Sequence, residues 1–130
     1  MMKMIHTEKA PPAIGSYSQA MKAGEFLFLS GQIPINPETN EVVEKNMILQ
    51  TQQVMRNIKA ILESEGVTFE HIVKTTIFVK DLNQFASINE EYGRFLGNHR
   101  PARSTVEVSR LPKDVLVEIE AIAYMGGSQN

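Results

Sequence analysis

Arg103 heads a run, Arg100-Pro101-Ala102-Arg103-Ser104-Thr105-Val106-Glu107-Val108, in which apolar and polar residues alternate. A guanidinium is a planar, permanently charged fork whose N–H groups match the two oxygens of a carboxylate. On a strand the fork is held more rigidly than on a loop. Shortly after, Val115-Leu116-Val117-Glu118-Ile119-Glu120-Ala121-Ile122-Ala123 sets two acids among large aliphatics. A period of two puts Arg103, Thr105 and Glu107 on one face of their strand. It puts Glu118 and Glu120 on one face of theirs with Leu116 and Ile122, opposite Val117, Ile119, Ala121 and Ala123. One strand-borne arginine and strand-borne glutamates, without cysteine or a metal motif, point to a small carboxylate-bearing ligand. The same pattern also describes a cross-strand ion pair of little energetic consequence. Spacing alone leaves both readings open.

The other chemistry-bearing residues each carry a plainer reading. Tyr17, in Ile14-Gly15-Ser16-Tyr17-Ser18-Gln19-Ala20, could be an amphipathic strand residue with its hydroxyl at the surface. Ser30-Gly31 ends an apolar strand, either as a turn or as backbone left bare for a ligand's approach. Asn89 lies in a helical pattern where most asparagines are simply exposed. Glu90-Glu91 reads as a solvated helix face. His6, His71 and His99 share no metal-ligand spacing, and no glycine-rich phosphate loop is present.

At 130 residues the chain reads as one domain over 1–130 with a sizeable core, residues 1–10 forming an N-terminal strand or lead-in and 126–130 a flexible tail. Apolar residues make up 42% and charged ones 22%, an ordinary globular balance. A net charge of -2 offers no basic surface for releasing counterions from nucleic acid, so nucleic-acid partners are disfavoured. The absence of cysteine removes disulfides, thiolate nucleophiles and cysteine-type zinc sites. The start turns polar at once and no stretch reaches the length of a membrane span, which suits a soluble cytoplasmic protein.

The elements that must position these residues follow from hydrophobic period and breakers. Tyr17 to Lys22 and Phe26 to Gly31 read as a hairpin around Ala23-Gly24-Glu25. Ile35 to Glu44 reads as a polar loop. Asn46 to Glu65 carries Leu49, Val54, Ile58, Ile61 and Leu62 at helical spacing, with Gln50-Thr51-Gln52-Gln53 facing solvent and Gly66 as the stop. His71 to Val79 is rich in β-branched residues and reads as a central strand. Asp81 to Asn83 can cap a second helix through Phe85, Ile88, Tyr92, Phe95 and Leu96. Two strands follow, and their short link Leu111-Pro112-Lys113-Asp114 suggests a hairpin. The order strand-strand, helix, strand, helix, strand-strand implies an α+β fold with two helices on one face of a sheet. The other face keeps apolar side chains (Val117 and Ile119, or their neighbours, according to register) that association would cover.

Five runs together resemble the Rid family, the YjgF-type reactive intermediate deaminases, and its RidA branch most closely. They are residues 13–19, Leu29-Ser30-Gly31-Gln32-Ile33-Pro34, residues 101–108, Arg110-Leu111-Pro112-Lys113-Asp114 and residues 117–123, in order across nearly the whole chain. The resemblance implies a chorismate-mutase-like α+β fold assembled as a homotrimer, with sites in the clefts between subunits. It implies hydrolysis of 2-imino acids or their enamine tautomers, 2-iminobutanoate and 2-iminopropanoate among them, to 2-keto acids and ammonia, without cofactor or metal. Such intermediates are released by pyridoxal-phosphate-dependent dehydratases. Arg103 matches the family's carboxylate-gripping arginine, and Glu120 the acid that orients the attacking water. Tyr17, Ser30, Gly31 and Asn89 match positions lining the cleft. Thr105 stands where relatives often have cysteine, and its backbone amide can serve equally. The family's mixed sheet also inserts the final strand between earlier ones, so Arg103 and Glu120 need not be neighbours within one subunit. A second reading of the same cleft is a non-enzymatic regulatory module that binds small carboxylates.

Overall fold

The computed structural model describes residues 2–126, so the expected tail lies, apart from Gly126, outside the described residues. The chain opens with strand β1 (Met2–Ile5), followed by β2 (Ala20–Ala23) and β3 (Phe26–Gln32). Ala23 pairs with Phe26, leaving Gly24-Glu25 as a two-residue turn, and Gly24 takes the left-handed conformation (φ 60°) that favours glycine. Residues 35–44, expected as a loop, fold into a small hairpin of β4 (Ile35–Asn36) and β5 (Glu41–Val42), turned at Asn40 with φ 62°.

Helix α1 (Met47–Ser64) starts at Asn46, whose Oδ1 accepts from the Leu49 N–H at 2.9 Å, and stops before Gly66 at φ 74°. Strand β6 (Ile72–Val79) follows, then helix α2 (Phe85–Leu96), strand β7 (Ala102–Glu107) and strand β8 (Val117–Tyr124). Asp81 caps the short turn Leu82–Gln84 ahead of α2, accepting from the Asn83 N–H at 2.9 Å, rather than capping α2 itself.

The six-stranded sheet runs β1-β2-β3-β8-β6-β7. All pairs are antiparallel except β6 and β7, for which α2 supplies the crossover that parallel pairing requires. The hairpin suggested for the last two strands does not form. β8 instead inserts between β3 and β6, as the family resemblance implied. Its Val117, Ile119, Ala121 and Ala123 turn to the helices and join Leu27, Ile77, Val54, Ile58, Ile61, Leu62 and Ile88 in the core.

That register settles which residues the uncovered face carries. Val117 and Ile119 are buried under the helices, whereas Phe26, Phe28, Val106 and Tyr124 are exposed, the Phe26 and Tyr124 rings 5.2 Å apart. Leu49, expected on the apolar stripe of α1, is also exposed.

The polar run of α1 is the clearest departure from expectation. Gln50, Thr51 and Gln53 are buried rather than solvent-facing. Gln50 Oε1 accepts from the Leu116 N–H at 2.8 Å. Gln53 donates to Asn57 Oδ1 at 2.9 Å, and Asn57 donates in turn to the carbonyls of Ile33 and Ile35 at 3.2 and 3.0 Å. Irregular chain ends meet α1 here, and their backbone groups need side-chain partners. Gln50→Leu keeps the volume but strands the Leu116 N–H, which should cost about 1–3 kcal/mol. Urea unfolding at fixed protein concentration measures it; an unchanged midpoint would contradict the buried role.

Candidate active site

Arg103 pairs with Thr75 across β7 and β6, which turns its side chain to the helix side of an edge strand. Its Nη1 donates to Asn89 Oδ1 at 2.7 Å. Its guanidinium carbon lies 5.1 Å from the Phe85 ring centre and 5.4 Å from that of Tyr92. Both rings and the amide sit on α2, so the helix holds the fork by a hydrogen bond and two cation–π contacts without neutralising it. Among the described residues no carboxylate lies within ion-pair distance of Arg103. Glu107, on the same face of β7, is spent accepting from the Leu82 N–H at 2.9 Å.

The Tyr92 hydroxyl is itself bound to Thr75 Oγ1 at 2.7 Å. Burial pushes its pKa up, opposed by that hydrogen bond and by the charges of Arg103 and Arg100. The Thr105 hydroxyl, on Arg103's face, is buried without a hydrogen-bond partner among the described residues. A cavity of about 550 Å³ opens beside Arg103, lined also by Asn89, Arg94, Asn98 and Arg100.

The acids occupy the other face of the sheet. Leu29 pairs with Ala121 and Gln32 with Ile119, so Ser30 and Gly31 together stand against the single residue Glu120: a β-bulge. The bulge is latched by Ser30, whose N–H donates to the Gln19 carbonyl at 3.0 Å and whose hydroxyl donates to the Ser18 carbonyl at 2.7 Å. The Glu118 side chain lies across Gly31 so closely that a methyl group there would collide with its carboxylate. Any side chain at 31 would push the Glu118 carboxylate aside, so the glycine here makes room for Glu118.

Burial raises the Glu118 pKa above the ordinary carboxylate value, and the neighbouring Glu120 charge adds to the effect. Glu120 is exposed. Tyr17, mostly exposed, and Gly31 line a cavity of about 290 Å³ walled by Pro11, Pro12, Ile14 and Ile33.

The expected site residues thus fall into two groups. Arg103, Asn89 and Thr105 stand on the helix side of β7. Ser30, Gly31 and Glu120 stand on β3 and β8, and Tyr17 lines one cavity with Gly31 from the segment before β2. Glu120 pairs with Thr76, which pairs with Ser104, so β6 separates the groups by two strand spacings, roughly 10 Å, on opposite faces. One chain does not bring them together.

Sequence reasoning placed Glu118 on one face with Glu120 but gave it no role of its own. The signal was available in its shared face with Glu120, but which of the two lies against a glycine depends on the bulge. Among the described residues no group of three His, Cys, Asp or Glu is placed to hold a metal, and no helix is long and apolar enough to cross a membrane.

Residues 7–125 match the family model described as Endoribonuclease L-PSP. The chain belongs to this family, the Rid family. A RutC family protein of Pyrococcus horikoshii is 57% identical, the match covering 95% of this chain and 98% of that one. The 2-iminobutanoate/2-iminopropanoate deaminase of Escherichia coli is 53% identical, with the same coverage of both chains. The crystal structure of a Rid family protein from Yersinia pestis superposes with a TM-score of 0.93 at 50% identity, covering 95% of this chain and 99% of that one. The Rid resemblance and the α+β fold expected from it both hold.

The raised Glu118 pKa has a thermodynamic consequence. The folded chain binds this proton more tightly than the unfolded chain, so stability falls as pH rises from the ordinary carboxylate value through the raised one. Glu118→Gln should therefore stabilise the protein at about pH 7, with the gain shrinking below about pH 4. Urea unfolding at both values tests this, and a gain equal at the two would contradict it.

Proposed function

We propose that this Rid protein hydrolyses 2-imino acids, or their enamine tautomers, to 2-keto acids and ammonia, with 2-iminobutanoate and 2-iminopropanoate as substrates. The observation that carries the reading is Arg103, an oriented guanidinium with no acid partner beside a cavity, together with a half-buried glutamate against a glycine bulge. The E. coli relative, at 53% identity, is named for this activity.

The site is completed between copies. The exposed Phe26, Phe28, Val106 and Tyr124 form an apolar face that a second copy covers, and Arg103 of one copy then meets the β3–β8 strip of the next. A closed ring of three copies gives a homotrimer with three equivalent sites.

In that cleft the chemistry needs little. An imine carbon is already electrophilic, and more so when protonated, so neither a covalent nucleophile nor a metal is required. Arg103, aligned by Asn89, holds the substrate carboxylate bidentately. Ser30, Gly31 and the Thr105 amide bound the cleft.

We assign Glu118, half-buried against Gly31 with its pKa raised by burial, the water-orienting role that the family resemblance gives to Glu120. Glu120 sits beside it and helps set that pKa. Water adds to the imine carbon as Glu118 takes its proton. That proton passes to nitrogen, the hydroxyl proton of the resulting carbinolamine follows it, and the C–N bond breaks as C=O forms, so that ammonia leaves and the keto acid remains. Tyr17 hydrogen-bonds the nitrogen. On this reading the protein works in the cytoplasm beside the pyridoxal-phosphate-dependent dehydratases that release such imines.

A carboxylate sensor would need Arg103 but no half-buried acid, which favours the enzyme. The family description names a second reading, cleavage of RNA. Degradation of an RNA substrate by wild type, abolished by Arg103→Ala, would establish that reading instead.

The deaminase reading is tested by generating 2-iminobutanoate from threonine with threonine dehydratase and trapping the survivor with semicarbazide. Wild type should suppress the adduct. Arg103→Ala should lose on the order of 10²-fold or more in rate with its fold intact, and Arg103→Lys should fail too, since a point charge does not replace the fork. Near-wild-type activity of either would sink the assignment.

Glu118→Gln should lose roughly 10²–10⁴-fold in rate while still binding keto acid, and Glu120→Gln much less. The reverse order would return the role to Glu120.

A further inference from the structure

The segment that carries Tyr17 has no regular secondary structure between β1 and β2, yet it must present a hydroxyl at a fixed place beside Gly31. One side chain holds it. Gln19 is 2% exposed, and all four of its side-chain hydrogen bonds go to residues 7–11. Its Oε1 accepts from the Thr7 N–H at 2.7 Å. Its Nε2 donates to the carbonyls of Thr7 at 3.0 Å, Ala10 at 3.2 Å and Pro11 at 2.7 Å. The backbone carbonyl of the same residue accepts from Ser30 N–H in the bulge. Gln19 therefore joins three things: the Pro11-Pro12 wall of the cavity, the strand entry two residues after Tyr17, and the Ser30-Gly31 bulge against which Glu118 lies.

We infer that Gln19 is a positioning residue of the site. It folds residues 7–12 back over the cavity and fixes Tyr17 relative to Gly31. It touches no reacting atom and acts through Tyr17 and the cavity wall. The inference rests on the deaminase reading of the same cleft. Its chemistry is that of an amide in a crowd of backbone groups: one acceptor meets one N–H, and two N–H hydrogens are shared among three carbonyls. No apolar residue of the same size can do this. A carboxylate can keep the Thr7 bond but faces three carbonyl oxygens with like polarity.

The test compares wild type, Gln19→Met, Tyr17→Phe and the double variant, each normalised to folded protein by its unfolding curve. Hydrogen exchange should rise in residues 7–17 of Gln19→Met while α1 stays protected. Its kcat per folded site should fall by roughly 10- to 100-fold, the cost of a misplacement of about 1 Å. Once Tyr17 is already Phe, adding Gln19→Met should cost much less, because residues acting through one another are not additive.

Unchanged kcat per folded site, or full additivity with Tyr17→Phe, would overturn the inference even if the melting temperature drops. Should Gln19→Met fail to fold, Gln19→Glu replaces it. Its deficit should shrink as pH falls and its carboxyl regains a proton to donate, and a deficit that ignores pH would overturn the inference. A wild type inactive on every imine would overturn the deaminase reading itself, and this inference with it.

Discussion

β8 is hydrogen-bonded along both edges, to β3 on one side and β6 on the other, and the site depends on that double pairing. A strand so placed has one face under the helices and one face open. Alternation then sends Val117, Ile119, Ala121 and Ala123 inward, and holds Glu118 and Glu120 on the face that two helices cannot cover. The bulge in β3 answers the acids by setting Gly31 beneath the Glu118 carboxylate. Had the last two strands paired with each other, Arg103 and Glu120 would have formed an ordinary surface ion pair. Inserting β8 keeps the arginine and the acids apart, and each retains its charge chemistry.

The two half-sites are tuned in opposite ways. Arg103 is kept cationic and aimed by neutral partners, an amide and two aromatic rings, so the charge remains available to a carboxylate from outside. Burial and a neighbouring acid hold the Glu118 pKa above the ordinary carboxylate value. Neither arrangement favours the isolated chain: one leaves a guanidinium without a counterion among the described residues and the other half-buries a carboxyl. Such departures from the most stable choice are expected where groups must meet a ligand.

Much of this was legible in the chain. The hydrophobic periods of α1, β6 and α2, the Gly24 turn and the Gly66 stop all follow local rules, and the structure obeys them. What failed was non-local. Gln50 and Gln53 look like solvent-facing residues, but Gln50 bonds the Leu116 backbone and Gln53 bonds an asparagine whose own amide reaches the carbonyls of Ile33 and Ile35 on distant segments. The hairpin of the last two strands is the natural guess from a short link, and only the family resemblance pointed past it. Arg103, Tyr17, Gly31 and Asn89 were all singled out by residue type. That the Glu118 side chain, rather than that of Glu120, lies against Gly31 was not open to sequence, because it depends on the register and bulge of β3 against β8.

The central claim is that Arg103 of one copy works with the acid strip of another. Subunit complementation tests it most directly. Arg103→Ala and Glu118→Gln proteins, each inactive alone, would be unfolded together at equal amounts, refolded and assayed for imine hydrolysis. Sites shared between neighbouring copies predict recovery of about a quarter of wild-type activity, the fraction of randomly assembled interfaces that unite an intact Arg103 with an intact Glu118. No recovery from a mixture shown to contain mixed assemblies would contradict the account.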